Sequence, residues 1–213
     1  MTGGEQLIDR WMVLGDALGL SRGQGELHAT GRGLLDMYSS DPRRTYHNLE
    51  HLSACLAELE RGGNVTGDPG VLAAALWFHD AIYEPGASDN EQRSAELAIE
   101  TLGRLGMGST RLEKVARLIS ATSRRDEPES DDEKLICDID LAVLGGSWSE
   151  YSRYAAAVRG EYSIPAEQYA AGRAAFLRNM LTREHVYHTE RFGDRYEHAA
   201  RENMQRELAE LEK

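Results

Sequence analysis

The chain has 213 residues, of which 41% are hydrophobic and 28% charged, and its net charge is −12. This length suits one domain with a substantial core, and no apolar run approaches the length of a membrane span. The acidic balance argues against a nucleic-acid polymer as partner, because successive phosphates need clustered Lys and Arg. A small phosphorylated substrate is still compatible, since a few local arginines can hold it.

Taken in chain order, Met1 to Leu20 mixes Glu5, Asp9, Arg10 and Asp16 with Leu7, Ile8, Trp11 and Leu14. That is an amphipathic helix and not the basic-then-apolar layout of a signal peptide. Cys55 and Cys137 sit inside apolar helical patterns without CxxC spacing. The expectation is a cytoplasmic protein with reduced, buried thiols. Strand signals are nearly absent, and helical periodicity predicts ten helices near residues 4–19, 25–40, 46–61, 69–83, 88–106, 110–123, 131–145, 148–163, 165–183 and 194–212. The fold class is therefore all-α, a single compact multi-helix domain. Gly62-Gly63-Asn64 should stop the third helix, Asp68-Pro69 should start the fourth in N-cap/N1 order, and Arg124 to Asp132, with Pro128, reads as an exposed loop.

The fourth helix carries Val71 to Phe78 as an apolar run on all sides and so should be central and buried. It ends in His79-Asp80, and a buried carboxylate without a partner is costly. A metal ion would neutralise Asp80 and use the imidazole lone pair of His79. Upstream, Tyr46-His47-Asn48-Leu49-Glu50-His51 places two histidines four apart, on one face of a helix. Downstream, Leu135-Ile136-Cys137-Asp138-Ile139-Asp140-Leu141 interrupts an apolar helix with acids, one of which should point inward.

The order His, then His-Asp, then Asp, each on its own helix, resembles the HD superfamily of metal-dependent phosphohydrolases over roughly Arg43 to Gly145. The resemblance implies a core of about 43–145, with C-terminal helices over 148–212 packing on it in one domain of 1–213. It also implies one divalent ion (Mn, Fe, Co, Ni or Zn) bound by His51, His79, Asp80 and Asp140. Asp140 is preferred to Asp138 because Asp-Leu before a small residue resembles the family's last motif, and Asp138 stays open. The Tyr-His-Asn-x-x-His element is similar to that of cyclic-nucleotide phosphodiesterases. There the first His is the general acid and the second binds metal, which gives His47 and His51 those roles. Tyr83 stands where the second His of their HDxxH motif would fall. The stretch around Gly172-Arg173, Tyr187-His188-Thr189 and Tyr196-Glu197 resembles a group of predicted HD phosphohydrolases without a known substrate.

No histidine lies between Asp80 and Asp140, where HD proteins that hold two metals generally place extra His ligands; the resemblance therefore implies one metal and hydrolysis over redox chemistry, unless His185, His188 or His198 folds back. The implied reaction is hydrolysis of a phosphoester in a small molecule, a nucleotide by expectation, by metal-activated water. His47 would protonate the leaving oxygen, Asp80 would hold metal at the reacting centre, and Glu84 would orient water or else face solvent at a helix end. Arg43, Arg44, Arg159 and Arg173 are the candidate phosphate holders, because the planar guanidinium binds phosphate oxygens in pairs. Tyr83, Tyr154, Tyr162, Tyr169 and Tyr187 could stack a base. The alternative is a non-catalytic helical protein that keeps the metal for structure or ligand sensing.

Overall fold

The computed structural model describes residues 3–20, 23–61, 67–123 and 127–212. Ten α-helices and no strand occur among them: α1 (Gly3–Leu18), α2 (Gln24–Ser39), α3 (Leu49–Arg61), α4 (Pro69–Phe78), α5 (Asn90–Arg104), α6 (Ser109–Ala121), α7 (Asp131–Leu141), α8 (Trp148–Glu161), α9 (Ala166–Thr182) and α10 (Glu190–Leu211). A 3₁₀ turn, Ala142–Gly145, continues α7. Every expected helix is present. The expected stop at Gly62-Gly63-Asn64 and residues 124–126 of the expected loop lie outside the described residues. No helix among the described residues is long and apolar enough to cross a membrane.

The all-apolar α4 is the axis of the core. It packs against α1, α3, α5, α6 and α7, and Leu72, Ala74, Ala75, Leu76 and Phe78 are wholly buried. Its start follows the N-cap/N1 reading: the Asp68 carboxylate accepts hydrogen bonds from the N–H groups of Gly70 and Val71, and Pro69 occupies the first turn. Trp11 of α1 meets Trp77 edge-on at 5.3 Å. Its indole N–H donates to the Leu27 carbonyl at 2.8 Å, which joins the first helical hairpin to the axis. Full burial of each large α4 side chain contributes about 1.5–3 kcal/mol.

Besides α7, which gives way to the 3₁₀ turn, three helix ends move by three residues or more from expectation, and each shift has a side chain behind it. Helix α3 begins at Leu49 instead of 46, because Asn48 acts as its cap and accepts from the Glu50 N–H at 2.9 Å. The N–H groups of Tyr46 and His47 go to the Glu161 carboxylate. Helix α4 ends at Phe78, five residues early. Past it, the Ala81 N–H returns to the Phe78 carbonyl, Arg44 takes the Asp80 carbonyl, and the Ser94 hydroxyl exchanges hydrogen bonds with both backbone groups of Ile82. Helix α10 starts at Glu190 because buried Asp138 receives the N–H groups of His188 and Thr189 and the Thr189 hydroxyl. An anion there also suits the positive end of the helix.

The C-terminal helices close over the 3₁₀ turn. A Cβ on Gly145 would lie 2.5 Å from the Tyr196 Cβ and 2.8 Å from its carbonyl oxygen, so only glycine lets α10 approach this closely.

Candidate metal centre

Helices α3 and α7 and the turn after α4 deliver their polar side chains to one point. The Nε2 atoms of His51 and His79 approach to 3.2 Å. Asp80 Oδ2 lies 3.5 Å from the first and 3.1 Å from the second. Asp140 Oδ1 lies 3.2 Å and 3.7 Å from the same two nitrogens. Four ligands placed tetrahedrally at about 2.1 Å from a cation would be roughly 3.4 Å apart, and these five separations fall near that value. Both imidazoles are buried, and the carboxylates are mostly so.

The donor chemistry agrees. His79 Nδ1–H donates to the Leu76 carbonyl at 2.7 Å. A carbonyl can only accept, so Nδ1 carries a proton and Nε2 is the atom that faces the other three groups, able to bind a cation once its own proton leaves. Burial works against charging His51 and His79, yet Cys55, Tyr46 and both carboxylates around His51, and Asp80, Tyr38 and Asp140 around His79, outweigh it. Both rings are held well above the ordinary imidazole value. Burial likewise opposes ionising Asp80, but His79, His47 and hydrogen bonds from the rings hold its carboxyl well below the usual range. Such a group stays together with positive charge at its centre, and a divalent cation competes with protons for that place.

Cys55, read from the sequence only as a buried thiol, belongs to this neighbourhood. His51, Cys55, His79 and Asp140 each offer an atom within 4.8 Å of the others, a group able to bind a metal. Its Sγ lies 3.8 Å from Nδ1 and 3.6 Å from Nε2 of His51. Near-equal distances put the sulfur against the His51 ring and off the axis of its Nε2 lone pair. The signal for Cys55 was its spacing of four from His51 on α3.

His47 stands just before α3, its ring 5.8 Å from that of His51. Its Nδ1 lies 2.7 Å from Glu161 Oε2, and the other oxygen of Glu161 accepts the N–H groups of Tyr46 and His47. The Tyr83 ring stacks on His47 at 4.1 Å, and its hydroxyl donates to Glu161 at 2.9 Å. Burial resists ionisation of Glu161, but hydrogen bonds from the His47 ring and the two backbone N–H groups prevail and hold its carboxyl below the ordinary value of 4.5. The anion at Nδ1 sets the tautomer and turns Nε2 outward. Sequence reading missed Glu161, although it continues the buried stripe of Tyr151 and Val158 along α8, where an acid is out of place.

The depressed carboxyl has a consequence for stability. A folded value below the unfolded one means that Glu161 contributes stability above pH 4.5, which is lost as pH falls through the folded value. Denaturant midpoints measured against pH should therefore fall more steeply in the wild type than in Glu161→Gln below pH 4.5. Parallel curves would show that Glu161 is not held as an anion.

The remaining candidates are committed to other partners or turned to solvent. Asp138 is wholly buried and committed to the start of α10; burial pushes its carboxyl up against the pull of Thr189 and the backbone. The Glu84 side chain is 71% exposed, 3.7 Å from Arg93, because the turn after α4 is pinned by Asn90, which bonds both backbone groups of Glu84. Arg43 is paired with Asp41 at the surface. Arg44 is buried and donates to the carbonyls of Met37, His47, Asp80 and Ala81, between the rings of Tyr38 and Tyr83. It ties the His47 turn to the Asp80 turn. Arg159 donates to the carbonyls of Tyr162 and Ile164, and Arg173 grips Glu207 with two hydrogen bonds of 2.9 Å. His185 and His198 are exposed, and Tyr187 is core, its hydroxyl on the Leu141 carbonyl.

Two cavities meet at the centre, sharing Tyr46, Asp140, Val143 and Tyr154 as walls. The larger, about 750 Å³, is lined by His51 and by Glu50, Glu58, Glu150, Arg61, Arg153 and Arg195. The smaller, about 420 Å³, is lined by His47 and by aromatic side chains. No family model, curated protein or solved structure matches the chain.

Proposed function

We propose that this chain hydrolyses a phosphoester in a small molecule, with one divalent cation held by His51, His79, Asp80 and Asp140, as the resemblance to HD phosphohydrolases implies. The observation that carries the reading is His47 beside that group, oriented from behind by the Glu161 carboxylate. A metal site kept for structure alone has no use for an oriented imidazole at its edge. The cation would supply Lewis acidity toward water and the phosphoryl oxygen.

The chain's own residues do the rest. Glu161 holds Nδ1 of His47, so Nε2 is the atom that gives a proton to the leaving oxygen. Arg61, Arg153 and Arg195 stand at the walls of the larger cavity, the first and last beside the Glu58 carboxylate, and are the arginines there that could take phosphate oxygens. Glu50, Glu58 and Glu150 stand among them. Such a mixed wall suits one compact phosphate and offers no basic track to a polymer.

Elemental analysis of the purified protein should find about one equivalent of Mn, Fe, Co, Ni or Zn, since mixed N/O ligation suits these ions better than Ca. With that ion supplied, small phosphoesters should release phosphate, while single- and double-stranded DNA should stay intact. No bound metal and no activation by any of the five ions would overturn the reading. Metal without turnover of any phosphoester would favour the non-catalytic alternative.

A further inference from the structure

We propose that the aromatic cavity beside His47 is the leaving-group site and takes a neutral planar ring carried on the alcohol side of the phosphoester. This rests on the hydrolase reading and adds which end of the substrate goes where. Tyr46, Tyr154, Tyr162, Tyr169 and Phe176 wall the cavity. Tyr46 and Tyr154 meet edge-on at 4.8 Å, and Tyr162 and Tyr169 lie tilted to each other at 5.5 Å. Its volume of about 420 Å³ falls at the small end of ligand sites, enough for one ring system with its sugar or linker.

Charge and polarity narrow the class. The cation on the wall, Arg173, is matched by Glu207 at 2.9 Å on both sides of the fork, so it offers no net charge to a second phosphate. Aromatic faces accept a neutral ring of any identity. The Tyr169 hydroxyl is buried and has no hydrogen-bond partner. To pair with a ring it must turn into the cavity on binding, which a ring with polar atoms on its edge would reward and a hydrocarbon ring would not.

The orientation follows from which walls carry which groups. His47 lines the aromatic cavity, whereas His51 and the three arginines line the charged one. A proton donor belongs on the leaving-group side, so phosphorus sits at the junction, beside Asp140, with the ring toward His47. A water oxygen bonds to phosphorus and releases its proton to solvent. The bond from phosphorus to the alcohol oxygen breaks, its electron pair stays on that oxygen, and the proton of His47 Nε2 completes the alcohol. Solvent then reprotonates His47, and phosphate leaves from the arginine side.

Gly172 gives the test. It lies on α9 at the cavity wall, and a Cβ there meets nothing within 4 Å. Gly172 is exposed on that wall with open space around its Cβ, so leucine there adds bulk at the rim of the cavity without a clash and favours helix over glycine. The metal-loaded wild type, Gly172→Leu and Tyr169→Phe are compared on nucleoside monophosphates, phenyl phosphate and ringless glycerol phosphate. The wild type should prefer ring-bearing substrates in kcat/KM, and Gly172→Leu should cut that preference by about tenfold or more, in line with loss of a ring-stacking contact. Tyr169→Phe should weaken nucleoside monophosphates more than phenyl phosphate if the natural ring is a base, and neither if it is a plain aryl group. Equal turnover of ringless and ring-bearing substrates, or a preference untouched by Gly172→Leu, would overturn the ring site and leave the hydrolase reading standing. If no substrate turns over, calorimetry with nucleosides and phenol decides: binding abolished in Gly172→Leu keeps the ring site without the hydrolase, and no binding overturns it.

Discussion

Asp80→Ala should lose both tight metal binding and hydrolysis, whereas His47→Ala should lose hydrolysis and keep the metal. Asp80 Oδ2 is within 3.5 Å of both imidazole nitrogens, so its removal takes away a donor atom and half of the negative charge that Asp80 and Asp140 bring to the centre. The two imidazoles then have Asp140 alone to offset a divalent ion, and metal content should fall with activity. His47 contributes no atom to the four-ligand group. Its loss removes a proton donor, an effect of about 10²–10⁴-fold in rate. Glu161→Gln should show a smaller loss of the same kind, because the ring keeps a hydrogen-bonding partner at Nδ1 but not an anion. Metal content by elemental analysis and phosphate release, measured on the same preparations, separate the two roles. Loss of metal from His47→Ala with retention in His51→Ala would exchange the assignments of the two histidines.

Which parts of this site were legible in the sequence follows from how polar groups find partners. The apolar run Val71 to Phe78 announced a buried axis, and polar side chains placed directly after it had to enter the interior. His51, His79, Asp80 and Asp140 converge because each interrupts or ends a helix that is otherwise packed into the core. Arginines could not be read the same way. Arg44 follows Arg43 directly, yet one is buried under four carbonyls and the other is at the surface with Asp41. Nothing in their local pattern says which will be captured by loop backbone. Glu161 is 114 residues from His47, and only the packing of α8 against the turn before α3 brings them together. Glu84 illustrates the reverse case. Its place five after His79 left two readings, an acid that orients water or one that faces solvent at a helix end, and the turn after Phe78 sends the side chain outward.

The largest effect on stability should come from Glu207→Ala. Arg173 on α9 and Glu207 on α10 form a paired ion bridge with side-chain exposures of 7% and 11%. Tyr151 of α8 donates its hydroxyl to the same carboxylate, and the Tyr154 hydroxyl accepts from Arg173 at 3.1 Å. The network thus ties the three C-terminal helices together under the aromatic cavity. Removing the carboxylate leaves a guanidinium buried without its counter-charge, which costs about 3–5 kcal/mol where such pairs have been broken. The bridge itself adds much less, because two charges had to leave water to make it. Replacing both partners, as in Arg173→Met with Glu207→Leu, should therefore recover most of the loss, although neither change restores a hydrogen bond. Urea unfolding of the single and double variants measures this directly. A Glu207→Ala protein within about 1 kcal/mol of the wild type would place the pair with ordinary surface bridges. A double variant no better than the single one would show that the packing of α8, α9 and α10, and not the stranded charge, sets the cost.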